Sequence, residues 1–237
     1  MNLAGFETVT RRRFAAAALT AAVSVLVLAG PSPGADINYD TFEDATGLQL
    51  NRKAKIVDST LRLTEDVTGQ RGSAFTKRKR LRTDRTFSAV FAFGMTSASS
   101  PADGLTFVLG SNEATAIGAP GAGLGYEGIK HSFAVAFDTF PTDSVYLLKN
   151  GKPNPIGPTD PDPALTGGVF AWVDYDASNQ TLFVYTNEFP DKPSTPDIEQ
   201  QINLSRLGEK IRVGFTAATG GFSARHEVLG LHVDQFD

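Results

Sequence analysis

The stretch Phe133-Ala134-Val135-Ala136-Phe137-Asp138-Thr139-Phe140, FAVAFDTF, decides how this chain is read. Its composition and alternation predict a β-strand, in which residues two apart face the same way. Ala136 and Asp138 therefore point to one side, and Phe137 and Thr139 to the other. Two acids at that spacing are a common β-protein device for holding a metal or breaking a glycosidic bond. Here alanine stands at one of the two places, and a single carboxylate remains.

Working outward, short strand-like runs recur between turn-rich segments. Leu48 to Leu50, Ala54 to Val57, Leu61 to Thr64, Phe87 to Phe93 and Leu105 to Leu109 precede the central stretch, and Val169 to Tyr175, Thr181 to Thr186, Ile211 to Ala217 and Val228 to Val233 follow it. About ten strands without intervening helices predict an all-β chain of antiparallel sheets packed face to face. Asp176-Ala177-Ser178-Asn179 reads as a hairpin turn, and the proline-rich stretches Pro153 to Pro163 and Pro190 to Pro196 read as exposed loops.

The 237 residues carry 23 glycines, 13 prolines, 17 phenylalanines and no cysteine, a balance that favours short strands and excludes disulfides and thiolate metal sites. A net charge of -4 argues against nucleic acid or anionic membrane as the main partner. The basic run Lys77 to Arg82 lacks interleaved aromatics and reads as a solvated strand face. Thr10-Arg11-Arg12-Arg13-Phe14, an apolar run from Ala15 to Ala29 and the breaker Pro31-Ser32-Pro33-Gly34-Ala35 predict an export signal over residues 1–35, of the bacterial twin-arginine type. Residues 36–237 are then one exported domain with no membrane span, destined for the periplasm, the cell surface or the extracellular space. The apolar run, at roughly 15 residues, is too short for a comfortable span.

Several motifs in order resemble the legume-lectin (L-type lectin) family. Asn38-Tyr39-Asp40-Thr41-Phe42, PADGLTFVLG (101–110), GAGLGYEGI (121–129), FAVAFDTF, VGFTAATGG (213–221) and HEVLGLHVDQF (226–236) follow the family's order and approximate spacing; the section 143–168 matches least. The resemblance implies a concanavalin A-like jelly-roll sandwich of two antiparallel sheets, with glycan or polysaccharide held by loops over one sheet. It implies a sugar-binding role for Asp103 in a cis Ala102-Asp103 peptide, a close backbone approach at Gly121, ring stacking by Phe140, and further contacts from Gly221 and Phe222. Thr142 falls at the position of the family's sugar-binding and calcium-binding asparagine.

The departures from the pattern matter as much. Family members usually read VAVEFDTF, with the glutamate and a later histidine on a transition metal; this chain has Ala136 and, in a shortened connection, Ser144. Too few ligands remain for such a metal. Calcium is a candidate cofactor, since Asp138, Asp143, the Phe140 carbonyl and the Thr142 hydroxyl all offer oxygen. The alternative is a metal-free loop in which Asp138 accepts backbone hydrogen bonds. Function divides similarly. A non-catalytic, carbohydrate-binding lectin-like protein is the main reading, and a scaffold or adhesion module that has lost its sugar site, with oligomer formation open, is the second. Hydrolysis is the third and weakest, because Glu113 and Glu127 form no acid pair and His131, His226 and His232 lack a nucleophile motif.

Overall fold

A computed structural model describes residues 37–78, 80–110, 112–161 and 164–236. The expected export signal, residues 1–35, lies outside them. Seventeen strands follow one another: β1 (Ile37–Tyr39), β2 (Leu48–Arg52), β3 (Lys55–Val57), β4 (Thr60–Thr64), β5 (Arg71–Thr76), β6 (Leu81–Arg82), β7 (Thr86–Thr96), β8 (Gly104–Gly110), β9 (Ser132–Asp138), β10 (Ser144–Lys149), β11 (Ile156–Pro161), β12 (Gly167–Asp176), β13 (Thr181–Asn187), β14 (Ile198–Gln201), β15 (Lys210–Ile211), β16 (Val213–Ala218) and β17 (Arg225–Phe236). Single 3-10 turns at Gly121–Gly123 and Leu204–Leu207 are the helical content of the described residues.

The strands form a jelly-roll sandwich. One sheet runs β14-β13-β12-β7-β17-β4-β3, with β1 also paired to β17, and the other runs β11-β10-β9-β8-β16-β5-β2. Every pairing is antiparallel. Alternation on β7 sends Phe87, Ala89, Phe91 and Phe93 between the sheets, where they meet the inward residues of β9, β8 and β16. Phe91 is fully buried and lies 5.0 Å from Phe107, 5.1 Å from Phe215, 5.8 Å from Phe137 and 6.1 Å from Phe93, centroid to centroid. Rings at these separations contribute edge and offset contacts beyond the area that they bury.

The outer face of the β9-containing sheet is also dry. Ala134 and Ala136 of β9, Val108 of β8 and Leu148 of β10 pack against Leu124, Tyr126 and Ile129 of the segment that links β8 to β9. Tyr126 is buried there with its hydroxyl 2.8 Å from the Ser132 hydroxyl, and it accepts the Gly151 N–H at 3.2 Å. This layer explains the small residues on the outer side of β9.

Several strands fall outside the runs read from the sequence, among them β1, β6, β10 and β14, and two further segments show why. The stretch 153–163, expected to be an exposed loop, contains β11. It lies at the sheet edge and pairs with β10 alone within its sheet, where a proline without an N–H is tolerated. RGSAFT, with no apolar alternation, forms the interior strand β5. A side chain at Gly72 would meet the Leu63 carbonyl at 2.0 Å, so crowding, and not hydrophobic pattern, selects its residues. The hairpin at 176–179 forms as expected, with Asp176 opposite Thr181.

Phe91→Ala removes the ring that joins the two sheets at the centre of the aromatic cluster. It should lower stability by about 3 to 5 kcal/mol, measured as a shift of the urea midpoint at unchanged m-value.

Candidate functional site

Three chain segments meet beyond the ends of β8, β9 and β16. The first brings Asp103, which is 7% exposed and follows a cis peptide from Ala102. Its N–H donates to the Ala218 carbonyl at 3.0 Å, and its own carbonyl accepts the Thr139 N–H at 2.8 Å and the Thr139 hydroxyl at 3.0 Å. The backbone of Asp103 is thus held from two sides while its carboxylate is turned elsewhere. One carboxylate oxygen, Oδ2, is buried without a protein hydrogen-bond partner. Burial, with the nearby Asp138 charge adding to it and the Gly220 backbone N–H partly opposing it, pushes the Asp103 carboxyl up to about 6.

The second segment runs on from β16. Thr219 is tied to the turn after β4 by three bonds: its N–H to Gln70 O at 2.9 Å, its hydroxyl to Val67 O at 2.7 Å, and the Gln70 N–H to its hydroxyl at 2.8 Å. Gly220 then passes over the Asp103 carboxylate so closely that a methyl on it would lie 3.0 Å from Oδ2. Asp66 holds the next residues, accepting from the Ser223 hydroxyl at 2.6 Å and from the Ala98 N–H at 3.1 Å. Gly221 and Phe222 lie between these anchors, both exposed.

The third segment leaves β9. Asp138 Oδ1 accepts the Phe140 N–H at 3.0 Å, which turns the chain and carries the Phe140 ring outward. Phe140 is 42% exposed and Phe222 50% exposed, with their ring centroids 5.3 Å apart at an interplanar angle of 34°. Two large apolar rings thus meet at the surface, on the loops that adjoin the segment carrying the Asp103 carboxylate.

Of the residues singled out in the sequence, Asp103, Phe140, Gly221 and Phe222 therefore converge. Gly121 is also present, at φ +61°, with a methyl on it 3.7 Å from Gly220 Cα. Its N–H, expected to face a ligand, donates to the Thr219 carbonyl at 3.2 Å, so Gly121 serves here to bring its loop against Gly220. Thr142 is exposed. Thr139 and Asp66 were not singled out, and Gly220 was read only as part of the VGFTAATGG loop. Nothing in a single sequence marks them, because their roles arise from contacts to segments at least 30 residues away.

The proposed cation ligands can be compared with what their oxygens already do. Asp138 has Oδ1 on the Phe140 N–H and Oδ2 on the Tyr146 hydroxyl at 2.6 Å. Asp143 turns Oδ2 to the Leu165 N–H at 3.0 Å. Burial first, and then the Asp143 charge, raises the Asp138 carboxyl above the ordinary value. Calcium takes six to eight oxygens, and among the described residues no three histidine or acid side chains come together as a metal set. The carboxylates offered to a cation are thus already engaged, Asp138 at both oxygens and Asp143 at one, which speaks against a divalent cation over Asp138. His226 offers no alternative chemistry: it is fully buried with Nδ1 2.7 Å from the Thr64 hydroxyl, and burial brings its ring down to about 3, neutral at ordinary pH.

The profile of the legume lectin domain matches residues 35–151 and 158–234. Among solved structures, the Bauhinia forficata lectin in complex with GalNAc superposes with a TM-score of 0.74 at 18% identity, covering 85% of this chain and 97% of that one. Arcelin-5, a lectin-like defense protein from Phaseolus vulgaris, gives a TM-score of 0.73 at 21% identity over 84% of this chain and 97% of that one. The metal-free form of lectin I-B4 from Griffonia simplicifolia gives 0.71 at 19% identity over 85% and 99%. These likenesses are of fold. The L-type lectin-domain containing receptor kinase I.3 of Arabidopsis thaliana is 40% identical over 63 residues, which span 26% of this chain and only 9% of that protein.

Asp103 gives the site a pH signature. Its folded value of about 6 lies above the ordinary 3.8, so its contribution to stability is fully present below about pH 4 and is lost as the pH rises through about 6. The difference in unfolding free energy between the wild type and Asp103→Asn, measured by urea titration from pH 3.5 to 8, should fall across that window and be level above it.

Proposed function

Because the chain belongs to the legume lectin family, we propose that it is a non-catalytic carbohydrate-binding protein whose sugar site lies at Asp103, Gly220, Phe140 and Phe222. The observation that carries this reading is the buried, unpartnered Oδ2 of Asp103 beside two exposed rings. A pyranose presents hydroxyls on its edge and C–H groups on its face. Two adjacent hydroxyls donate to the ionised Asp103 carboxylate, which supplies charge-assisted acceptors in a partly dry setting. The C–H face lies against Phe140, with Phe222 closing the rim. Binding needs Asp103 ionised, so affinity falls as the pH drops through about 6.

Such a site asks for no chemistry. The strand that carries a catalytic acid pair in jelly-roll hydrolases has Ala136 where the partner acid would stand, and both oxygens of Asp138 are engaged by protein donors. Exposed surface loops suit a weak monosaccharide contact, of order 4 kcal/mol at a millimolar Kd, strengthened by multivalent display.

The proposal includes the setting. Residues 1–35 act as an export signal of the bacterial twin-arginine type, and residues 36–237 act as the mature domain in the periplasm, at the cell surface or outside the cell. Among the described residues no helix is long and apolar enough to cross a membrane. The second reading is a scaffold or adhesion sandwich without sugar binding. It is favoured by the Gly121 N–H, which is turned to Thr219, and by threonine at position 142.

A glycan array separates the two. The carbohydrate reading expects binding at pH 7.5 that weakens at pH 5 and is lost in Asp103→Ala. Truncating one charge-assisted contact of about 1.5 to 3 kcal/mol costs roughly 10- to 100-fold. Gly220→Ala, which sets a methyl 3.0 Å from Asp103 Oδ2 and 3.3 Å from Gly121 Cα, should weaken binding and, by crowding both, lower the melting temperature. A well-folded wild type that binds no glycan on the array sinks the carbohydrate reading and favours the scaffold.

A further inference from the structure

The position opposite Ala136 in the sheet is occupied by Tyr146. In the β9–β10 register Tyr146 is the partner of Ala136, and Ser144 is the partner of Asp138, so the Tyr146 side chain rises on the same outer face as Ala136 and Asp138. Ala136 is fully buried in the outer apolar cluster, and the Tyr146 ring packs against that cluster. The methyl at 136 leaves space over the strand, and the ring occupies it. From there the phenol donates to Asp138 Oδ2 at 2.6 Å, a short O–H···O⁻ bond of the charge-assisted kind.

Asp138 in turn organises the turn beyond it. Its other oxygen takes the Phe140 N–H at 3.0 Å, and the intervening Thr139 gives both its N–H and its hydroxyl to the carbonyl of Asp103. One carboxylate thus connects β10 to the two residues on which the proposed sugar site depends. In the metal-holding arrangement that the family resemblance implies, a glutamate at 136 and a cation would occupy this place. Here a neutral ring and a hydroxyl proton do so.

We infer that Tyr146 is a positioning residue whose phenol replaces a divalent cation over Asp138, so that the 138–141 turn, Phe140 and, through Thr139, the Asp103 backbone are set without metal. The inference goes beyond the carbohydrate reading. It concerns how the loop is ordered, and it stands or falls on measurements that involve no glycan.

The test uses the purified protein after chelator treatment, titrated calorimetrically with calcium chloride and separately with manganese chloride, and melted with and without EDTA. The expected result is no binding heat to millimolar concentration and a melting temperature indifferent to either metal or chelator. Tyr146→Phe should lower the melting temperature by about 3 to 10 °C, as expected for losing a hydrogen bond to a charged group in a domain of this size. A general packing defect would do the same, so the substitution is repeated in an Asp138→Asn background, where the Tyr146→Phe shift should shrink by more than half. Saturable binding of calcium or manganese with an upward shift in melting temperature overturns the inference. So does a Tyr146→Phe shift that is absent, or equal in the two backgrounds. If Tyr146→Phe does not fold, the wild-type metal titration still decides.

Discussion

Both faces of strand β9 are buried, and that constraint reaches most of the molecule. Phe133, Val135 and Phe137 enter the core between the sheets, where Phe137 meets Phe91 and Phe93, while Ala134 and Ala136 enter the second layer beneath Leu124 and Tyr126. A polar group on or at the end of a strand dry on two sides is tolerated only when donors or acceptors from the protein or a ligand meet it. Asp138 is such an end residue. Its carboxylate is met on one oxygen by backbone and on the other by the Tyr146 phenol.

The same logic, applied to Asp103, has the opposite outcome. Its backbone is fully engaged, yet one carboxylate oxygen is left buried and unmet, and a second acid stands near enough to raise its proton affinity. Unsatisfied acceptors of this kind are uncommon in folded proteins, and under the carbohydrate reading this one is the acceptor that a sugar hydroxyl meets. The surrounding loops are anchored at Thr219, Asp66 and Thr139, which keeps the two exposed rings and the acid in fixed relation without help from a ligand. Preorganisation matters at a shallow site, where little binding energy is left to order loops.

On the proposal that the Tyr146 phenol stands in for a cation, the loop beyond β9 has changed its means of support while the legume lectin sandwich beneath it is kept. Losing an acid at 136 removes a charge from a buried face, and an aromatic ring on the neighbouring strand fills the volume. Replacing a buried ionic cluster by apolar packing and one hydrogen bond is compatible with stability. It also ties the loop to the register of β9 and β10, since a slip of one residue would turn Tyr146 to the opposite face.

How far this was legible in the sequence follows from the range of the interactions involved. Alternation is a local property, so Phe87 to Phe93, Phe133 to Asp138 and Val169 to Tyr175 announced themselves as strands, and the side on which Asp138 stands was readable from position alone. Strand β5, chosen by crowding, and β11, a proline-bearing edge, carry no such pattern and were missed. In the site, Asp103, Phe140 and Phe222 were visible as motif residues. Their meeting, the cover supplied by Gly220 and the bond from Tyr146 to Asp138 were not. The chain by itself determined an all-β sandwich with one acid at the end of its central strand, because two-residue periodicity is written in neighbouring residues. Only the tertiary structure decided what that acid bonds to and which loops enclose Asp103, because cross-strand register and loop closure are set by packing among segments distant in sequence.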